Sequence, residues 1–125
     1  MELSSADIIV SIFSILVGIS IIGFWLRLSY KKLVFEPGST RSPIETEYHV
    51  AAELMTAAVL LEGGAALLLH LTLGKGISLV GLGMLVYATI NGIGYYARRE
   101  DKSMVRTFYA VLVFTIIVII FELVS

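Results

Sequence analysis

The sequence predicts an all-α integral membrane protein, a four-helix bundle with short loops, and three observations support this. Of the 125 residues 58% are hydrophobic, and the mean hydropathy is +0.93, whereas soluble domains are usually about 45–50% apolar. The apolar residues form four runs, each of about the length that a membrane span needs. The connections between the later runs are very short. The predicted spans are residues 7–29, 47–71, 77–97 and 104–123, in a single domain over residues 1–125.

The composition excludes several classes of function. The net charge is -1, so no basic surface for nucleic acid is expected. The chain has no cysteine, which removes disulfides, thiolate metal sites and cysteine nucleophiles. No phosphate-binding loop, nucleophile elbow or acidic metal cluster is present in the sequence. We therefore expect no cofactor and no metal, and an enzyme is less expected than a protein without catalytic activity.

The first span begins after a short polar start. It lacks the basic segment and the small-residue cleavage site of a signal peptide, so we expect it to be retained. Ser11, Ser14 and Gly18 lie on one face of this helix, where small residues let another helix approach closely. Trp25 is placed where aromatic residues anchor a helix at the membrane interface.

The second span is preceded by a polar connection and a helix start signal. Residues 31–41 form the connection, with a Pro-Gly turn at 37–38. Ser42 is expected as the N-cap, Pro43 as the first helical residue and Glu45 as the third.

The remaining connections are tight. The second span is expected to end near Leu71, with Gly74 and Gly76 interrupting the chain before the third span. Residues 98–102 form a polar turn before the fourth span. Short connections make helices two, three and four antiparallel neighbours.

The orientation follows from the basic residues, which cluster around two of the three connections. Lys75 is the only basic residue near the remaining connection. The positive-inside rule therefore predicts that the loops at 30–42 and 98–103 are cytoplasmic and that both termini are extracytoplasmic, in a multi-pass protein of the cell membrane. The clustered residues are Arg27, Lys31, Lys32 and Arg41, and Arg98, Arg99, Lys102 and Arg106.

Ionisable residues inside the second span are the main candidates for a functional site. A charged residue at a helix centre costs about 2.5–3.5 kcal/mol on the insertion scale, so Glu53 and Glu62 are expected to be protonated or partnered. His49 lies four residues before Glu53, on the same helix face. Glu62 lies on roughly the opposite face and is expected to contact a different helix or a neighbouring subunit.

The third span supplies possible partners for these carboxyls. Tyr87, Asn91 and Tyr95 are four residues apart and share one face. We expect Asn91 at the depth of Glu53, with Tyr87 nearer to Glu62, in a polar seam between helices two and three. The candidate ligand-binding or proton-binding residues are therefore His49, Glu53, Glu62, Tyr87, Asn91 and Tyr95.

The same residues are compatible with structural roles. His49 and Glu53 are equally compatible with a hydrogen-bonded pair that fixes helix packing, and Asn91 with a contact between helices. Glu122, near the outer boundary, is expected to be solvated.

Parts of the second and third spans resemble a known group of proteins. The segments YHVAAE at 48–53, GLGMLVYATIN at 81–91 and GYYA at 94–97 are similar to small four-span prokaryotic membrane proteins of uncharacterised function. The resemblance covers these two helices and singles out His49, Glu53, Asn91 and Tyr95.

Three functions remain open. The first is transport of protons, ions or small solutes through a homo-oligomer, with the intramembrane glutamate, histidine and asparagine as its site. The second is an accessory or assembly subunit of a larger membrane complex. The third is a membrane enzyme or cofactor binder. The expected partners are the lipid bilayer and either further copies of the chain or other membrane subunits.

Overall fold

The secondary structure of the described part of the chain is all α-helical. A computed structural model describes the backbone of residues 5–30 and 43–124, and their side chains over 5–27 and 48–124. These residues form four α-helices and no strand: α1 (Ser5–Tyr30), α2 (Pro43–Leu68), α3 (Gly74–Arg98) and α4 (Lys102–Val124). Pro43 is the first residue of α2, as predicted. The expected turn at 37–38 and the Ser42 cap lie outside the described residues.

Each helix is long and apolar enough to cross a membrane. The stretches that satisfy this criterion are Ser5–Arg27, Tyr48–Leu68, Gly74–Arg98 and Lys102–Val124. They agree with the four predicted spans to within a few residues.

The helices form a bundle with alternating directions. α1 packs mainly on α2, α2 on α3 and α3 on α4, while α4 makes a smaller contact back to α1. We call the end with Ser5 and Val124 the terminal end, and the end with Lys102 the loop end. The buried apolar core runs between the helices and comprises Val10, Leu60, Leu67, Leu82, Leu85 and Val118.

Two adjacent glycines allow α2 to approach both of its neighbours. A β-carbon on Gly63 would lie 2.7 Å from the Cα atom of Ser78 on α3. A β-carbon on Gly64 would lie 2.7 Å from the Cγ1 atom of Ile15 on α1. Neighbouring helical residues point about 100° apart, so one pair of glycines serves both interfaces.

The small-residue face of α1 is also confirmed. Ser11, Ser14 and Gly18 are all buried. A β-carbon on Gly18 would lie 3.1 Å from the carbonyl oxygen of Ala57. This face therefore packs on α2.

The turn between α2 and α3 corrects one expectation. α2 ends at Leu68, and the Leu71 N–H donates to the Ala66 carbonyl at 2.9 Å while His70 adopts φ 57°. Gly74 does not interrupt the helix; it is the first residue of α3. A β-carbon on Gly74 would lie 2.9 Å from the Ala66 carbonyl carbon, so glycine is needed here for close packing.

The turn between α3 and α4 closes in the same way. The Asp101 N–H donates to the Tyr96 carbonyl at 3.1 Å, with Glu100 at φ 58°. The Asp101 carboxylate then accepts a hydrogen bond from the Met104 N–H at 3.2 Å. Asp101 therefore caps the first turn of α4.

Candidate functional site

Glu53 is the centre of a polar cluster between α1 and α2. The indole N–H of Trp25 donates a hydrogen bond to its Oε2 atom. His49 Nε2 lies 3.5 Å from its Oε1 atom, and the His49 and Glu53 side chains are 20% and 14% exposed. The indole and imidazole rings meet edge to face, with their centroids 5.8 Å apart. The carboxylate therefore has a different partner on each oxygen.

The packing of α1 on α2 explains this contact. Gly18 lies against Ala57 and Leu61. Trp25 is about two helical turns further along α1, which brings it level with Glu53 on antiparallel α2. Trp25 is thus a partner of the candidate carboxyl, whereas the sequence predicted an interface anchor.

On α3, Tyr96 interacts with this cluster; it is one position away from the predicted Tyr95. Tyr96 interacts electrostatically with Glu53, and its ring stacks on Phe108 with the centroids 5.4 Å apart. Tyr95 lies instead beneath Arg99, whose guanidinium carbon is 4.9 Å from the ring centroid. A rotation of about 100° per residue separates the two directions.

Two of the α3 residues expected in the seam between α2 and α3, Tyr87 and Asn91, lie on the outer surface of this bundle. Tyr87 is 71% exposed and Asn91 is also exposed. The inner face of α3 is occupied by its buried residues, which are Gly74, Ser78, Gly81, Leu82, Leu85, Thr89 and Gly92.

The positions of Tyr87 and Asn91 along the bundle also differ from the predicted ones. The packing of Gly63 on Ser78 sets the register of the two helices, and it places Tyr87 level with Leu54. α3 begins three residues earlier than expected, at Gly74. Tyr87 and Asn91 therefore lie about one turn nearer the loop end than predicted.

Glu62 lies on the opposite side of α2 from the Glu53 cluster, as predicted. It is exposed on the outer surface of the bundle, 14 residues after Tyr48 and six residues before Leu68, which are the ends of the membrane-length stretch Tyr48–Leu68. Two small side chains, Ala58 and Ala65, are exposed on the same face. The exposed residues that follow this face with helical spacing are Ala51, Met55, Ala58, Glu62, Ala65 and Leu69.

A second polar cluster, at the terminal end, was not predicted. Glu122 is 0% exposed, which contradicts the expectation that it is solvated. It interacts electrostatically with Asp7 of α1 and Lys75 of α3. The sequence places Thr115, Val118 and Glu122 on one helix face by their spacing, and in the structure all three are buried.

The comparisons identify a family. A family model, Domain of unknown function (DUF8058), matches residues 5–125, and because this is nearly the whole sequence the chain belongs to that family. The expected resemblance to an uncharacterised family is thus confirmed, and the matched range includes all four helices. No curated protein and no solved structure matches the chain.

Proposed function

We propose that this member of the DUF8058 family is a multi-pass membrane protein that conducts protons or small cations as a homo-oligomer. The observation that carries the proposal is the position of Glu62. It is an ionisable residue within a membrane-length helix, six residues before the end of the stretch Tyr48–Leu68, and it faces away from its own bundle.

A single bundle in a bilayer would expose this carboxyl to lipid. The cost for a charged residue is at most about 2.5–3.5 kcal/mol, the value at the helix centre, and intramembrane ionisable groups usually face other protein or water. Ala58 and Ala65 flank Glu62 on the same face. Small side chains of this kind let a second helix approach closely, so the outer face of α2 suits a contact between copies.

Symmetry then gives Glu62 a functional position. In a cyclic homo-oligomer the same surface of every copy is used. If α2 of each copy lines the symmetry axis, the Glu62 carboxyls come together near that axis. Rings of carboxylates select cations in channels, and a carboxyl that takes up and releases protons can relay them.

The Glu53 cluster has a structural role in the proposed function. The basic loops are cytoplasmic and both termini are extracytoplasmic, so Glu53, His49 and Trp25 lie in the cytoplasmic half of each copy. Their contacts lie within one chain. We propose that these three residues hold α1 against α2, and that Glu62 lines the conduction pathway near the oligomer axis.

Flux into proteoliposomes tests this function. We expect the purified chain to admit protons or cations and Glu62→Gln to reduce the rate at least about tenfold, a barrier increase of about 1.4 kcal/mol. Glu100→Gln is the matched control, because Glu100 is exposed in the turn between α3 and α4. Full flux in folded Glu62→Gln overturns the assignment.

A second candidate is an accessory subunit of a larger membrane complex. It is favoured by the contacts of Glu53, whose partners Trp25 and His49 come from the same chain and suit a structural role. Glu62 would then contact a helix of another protein. The mass after mild extraction separates the two candidates, because a homo-oligomer is a multiple of 13.7 kDa and a subunit co-purifies with different chains.

A further inference from the structure

We propose that the outer face of α4 binds an anionic phospholipid at the loop end of the bundle. This face consists of Lys102, Arg106, Tyr109 and Val113. The two cations bind the phosphate of the headgroup, and the two residues that follow contact an acyl chain. The lipid contact rests on the membrane insertion that is part of the proposed function, but not on conduction, because Glu62 lies on α2.

The four residues form one stripe on the exposed side of α4. They follow one another at spacings of four, three and four residues, which places them on one helix face, and all four are exposed. The inner face of α4 carries instead the buried residues of this helix, which are Thr115, Val118 and Glu122. α4 is also the least buried of the four membrane-length stretches. Its outer face is therefore open to lipid.

Two cations lie one turn apart at the start of this face. Lys102 and Arg106 are both exposed, and within the described part of the chain no acidic side chain forms an ion pair with either of them. Like charges four residues apart on a helix repel each other. An anion that binds both side chains removes this repulsion.

The Arg106 guanidinium is directed towards the membrane surface. Its Nε–H donates to the Lys102 carbonyl at 3.4 Å, so the side chain runs back along α4 towards the loop end and returns to the level of Lys102. A long basic side chain inside a membrane boundary usually extends to the interface in this way. Arginine has five N–H donors, so four remain for phosphate oxygens, which arginine can bind through two parallel hydrogen bonds.

The acidic residues of the turn do not cancel this positive charge. Residues 98–106 include four basic and two acidic residues. The Asp101 carboxylate accepts a hydrogen bond from the Met104 N–H at 3.2 Å, and Glu100 lies in the turn itself, before the first residue of α4. The loop end of α4 therefore keeps a net positive charge, which attracts anionic headgroups rather than neutral ones.

The face also matches one leaflet in depth. From Lys102 to Val113 the helix rises about 16 Å at about 1.5 Å per residue, and half of the hydrocarbon core is about 15 Å thick. Tyr109 and Val113 are exposed along this stretch and offer an aromatic and an aliphatic surface. A phosphate at the level of Lys102 therefore places an acyl chain alongside both of them.

Binding is measured on the full chain in a neutral detergent. Phosphatidylglycerol is added, and phosphatidylcholine with the same acyl chains is the uncharged comparison. Because a ligand that binds only the folded state stabilises it, we expect the thermal unfolding midpoint to rise more with phosphatidylglycerol. Native mass spectrometry counts the retained lipids as a second readout. Neither readout involves flux, so a failure to bind lipid is distinguishable from a failure to conduct.

Variants of the two cations locate the headgroup. We expect Lys102→Gln and Arg106→Gln each to weaken the binding of phosphatidylglycerol about fivefold, which corresponds to about 1 kcal/mol. Without the lipid their midpoints should be unchanged or higher, since the repulsion between the two cations is relieved. Arg27→Gln is the matched control, because Arg27 is an exposed arginine at the same end of the bundle on α1, and it should bind as the wild type does.

Glycerol 3-phosphate tests whether the apolar part of the face contributes. It carries a phosphate without acyl chains, so we expect no rise of the midpoint at the concentrations at which phosphatidylglycerol acts.

Four results would overturn the proposal. One is equal binding of phosphatidylcholine and phosphatidylglycerol. Another is wild-type binding in both Lys102→Gln and Arg106→Gln. A third is an equal loss in Arg27→Gln, which would show that the overall charge of this end attracts the lipid. The last is an equal rise of the midpoint with glycerol 3-phosphate, which would show a site for free phosphate instead of a lipid.

Discussion

The indole N–H of Trp25 donates a hydrogen bond to the carboxylate of Glu53 and thereby joins α1 to α2 near the loop end of the bundle. The bond links residues 28 positions apart in the sequence. It gives one carboxylate oxygen a donor, while His49 lies beside the other.

Removing the donor should destabilise the bundle. Trp25→Phe keeps an aromatic ring and leaves Glu53 without its indole partner. Hydrogen bonds to charged groups contribute about 1.5–3 kcal/mol, so we expect a loss of about that size. The measurement is reversible denaturant unfolding in bicelles.

The control is Tyr109→Phe, because Tyr109 is 54% exposed and its change should have little effect. A double-mutant cycle with Glu53→Gln should show a coupling energy of about 0.5–3 kcal/mol, as expected for residues in contact. Additive effects of the two changes would mean that the bond contributes nothing.

The glycine pair of α2 should tolerate no side chain. Gly63→Ala places a β-carbon 2.7 Å from the backbone of Ser78, so α2 and α3 must separate. Overpacking of this kind typically costs about 1–3 kcal/mol. The free energy of unfolding of the variant gives the result.

Gly83→Ala provides a matched control for that change. It also replaces a helical glycine, but apart from its own stretch of helix no described atom lies within 4 Å of its β-carbon position. Alanine is favoured over glycine within a helix by about 0.5–1 kcal/mol, so we expect this variant to be more stable than the wild type. Equal destabilisation at both positions would refute the packing argument.

The turn between α3 and α4 should accept glycine. Glu100 adopts φ 58°, and the left-handed conformation costs a residue with a β-carbon roughly 1–2 kcal/mol. Glu100→Gly should therefore raise the free energy of unfolding by up to about 1 kcal/mol. Glu100→Ala removes the same carboxylate but keeps a β-carbon at the strained position. An equal rise in its free energy of unfolding would show that loss of the charge, and not relief of the backbone, is the cause.

The outer face of α2 should control assembly. Ala58 is one turn before Glu62 and exposed, so Ala58→Leu adds bulk where the proposed contact needs a small residue. We expect the variant to fold normally and to be monomeric when its mass is measured in mild detergent. Leu16→Ala, on the exposed surface of α1 (Leu16 is 58% exposed), should leave the assembly unchanged. If the wild type and Ala58→Leu form the same oligomer, the interface lies on a different surface.

The sequence by itself determined the four helices and much of their local detail. Apolar runs of membrane length require helices, because only hydrogen bonding within the segment satisfies the backbone in lipid. Pro43 indicated the start of α2. The opposite placement of Glu53 and Glu62 follows from the helical repeat alone, and Ser11, Ser14 and Gly18 indicated the packing face of α1.

Only the tertiary structure decided which residues meet. It paired Trp25 with Glu53, brought Tyr96 close enough to interact with that carboxyl and buried Glu122 at the terminal end. The physical reason is the difference between water and lipid as the solvent of a helix. In a water-soluble helix the apolar stripe marks the inner face, whereas helices suited to lipid are apolar on every side. Hydropathy then reports the length of such a helix, and close packing at small residues sets its rotation and register.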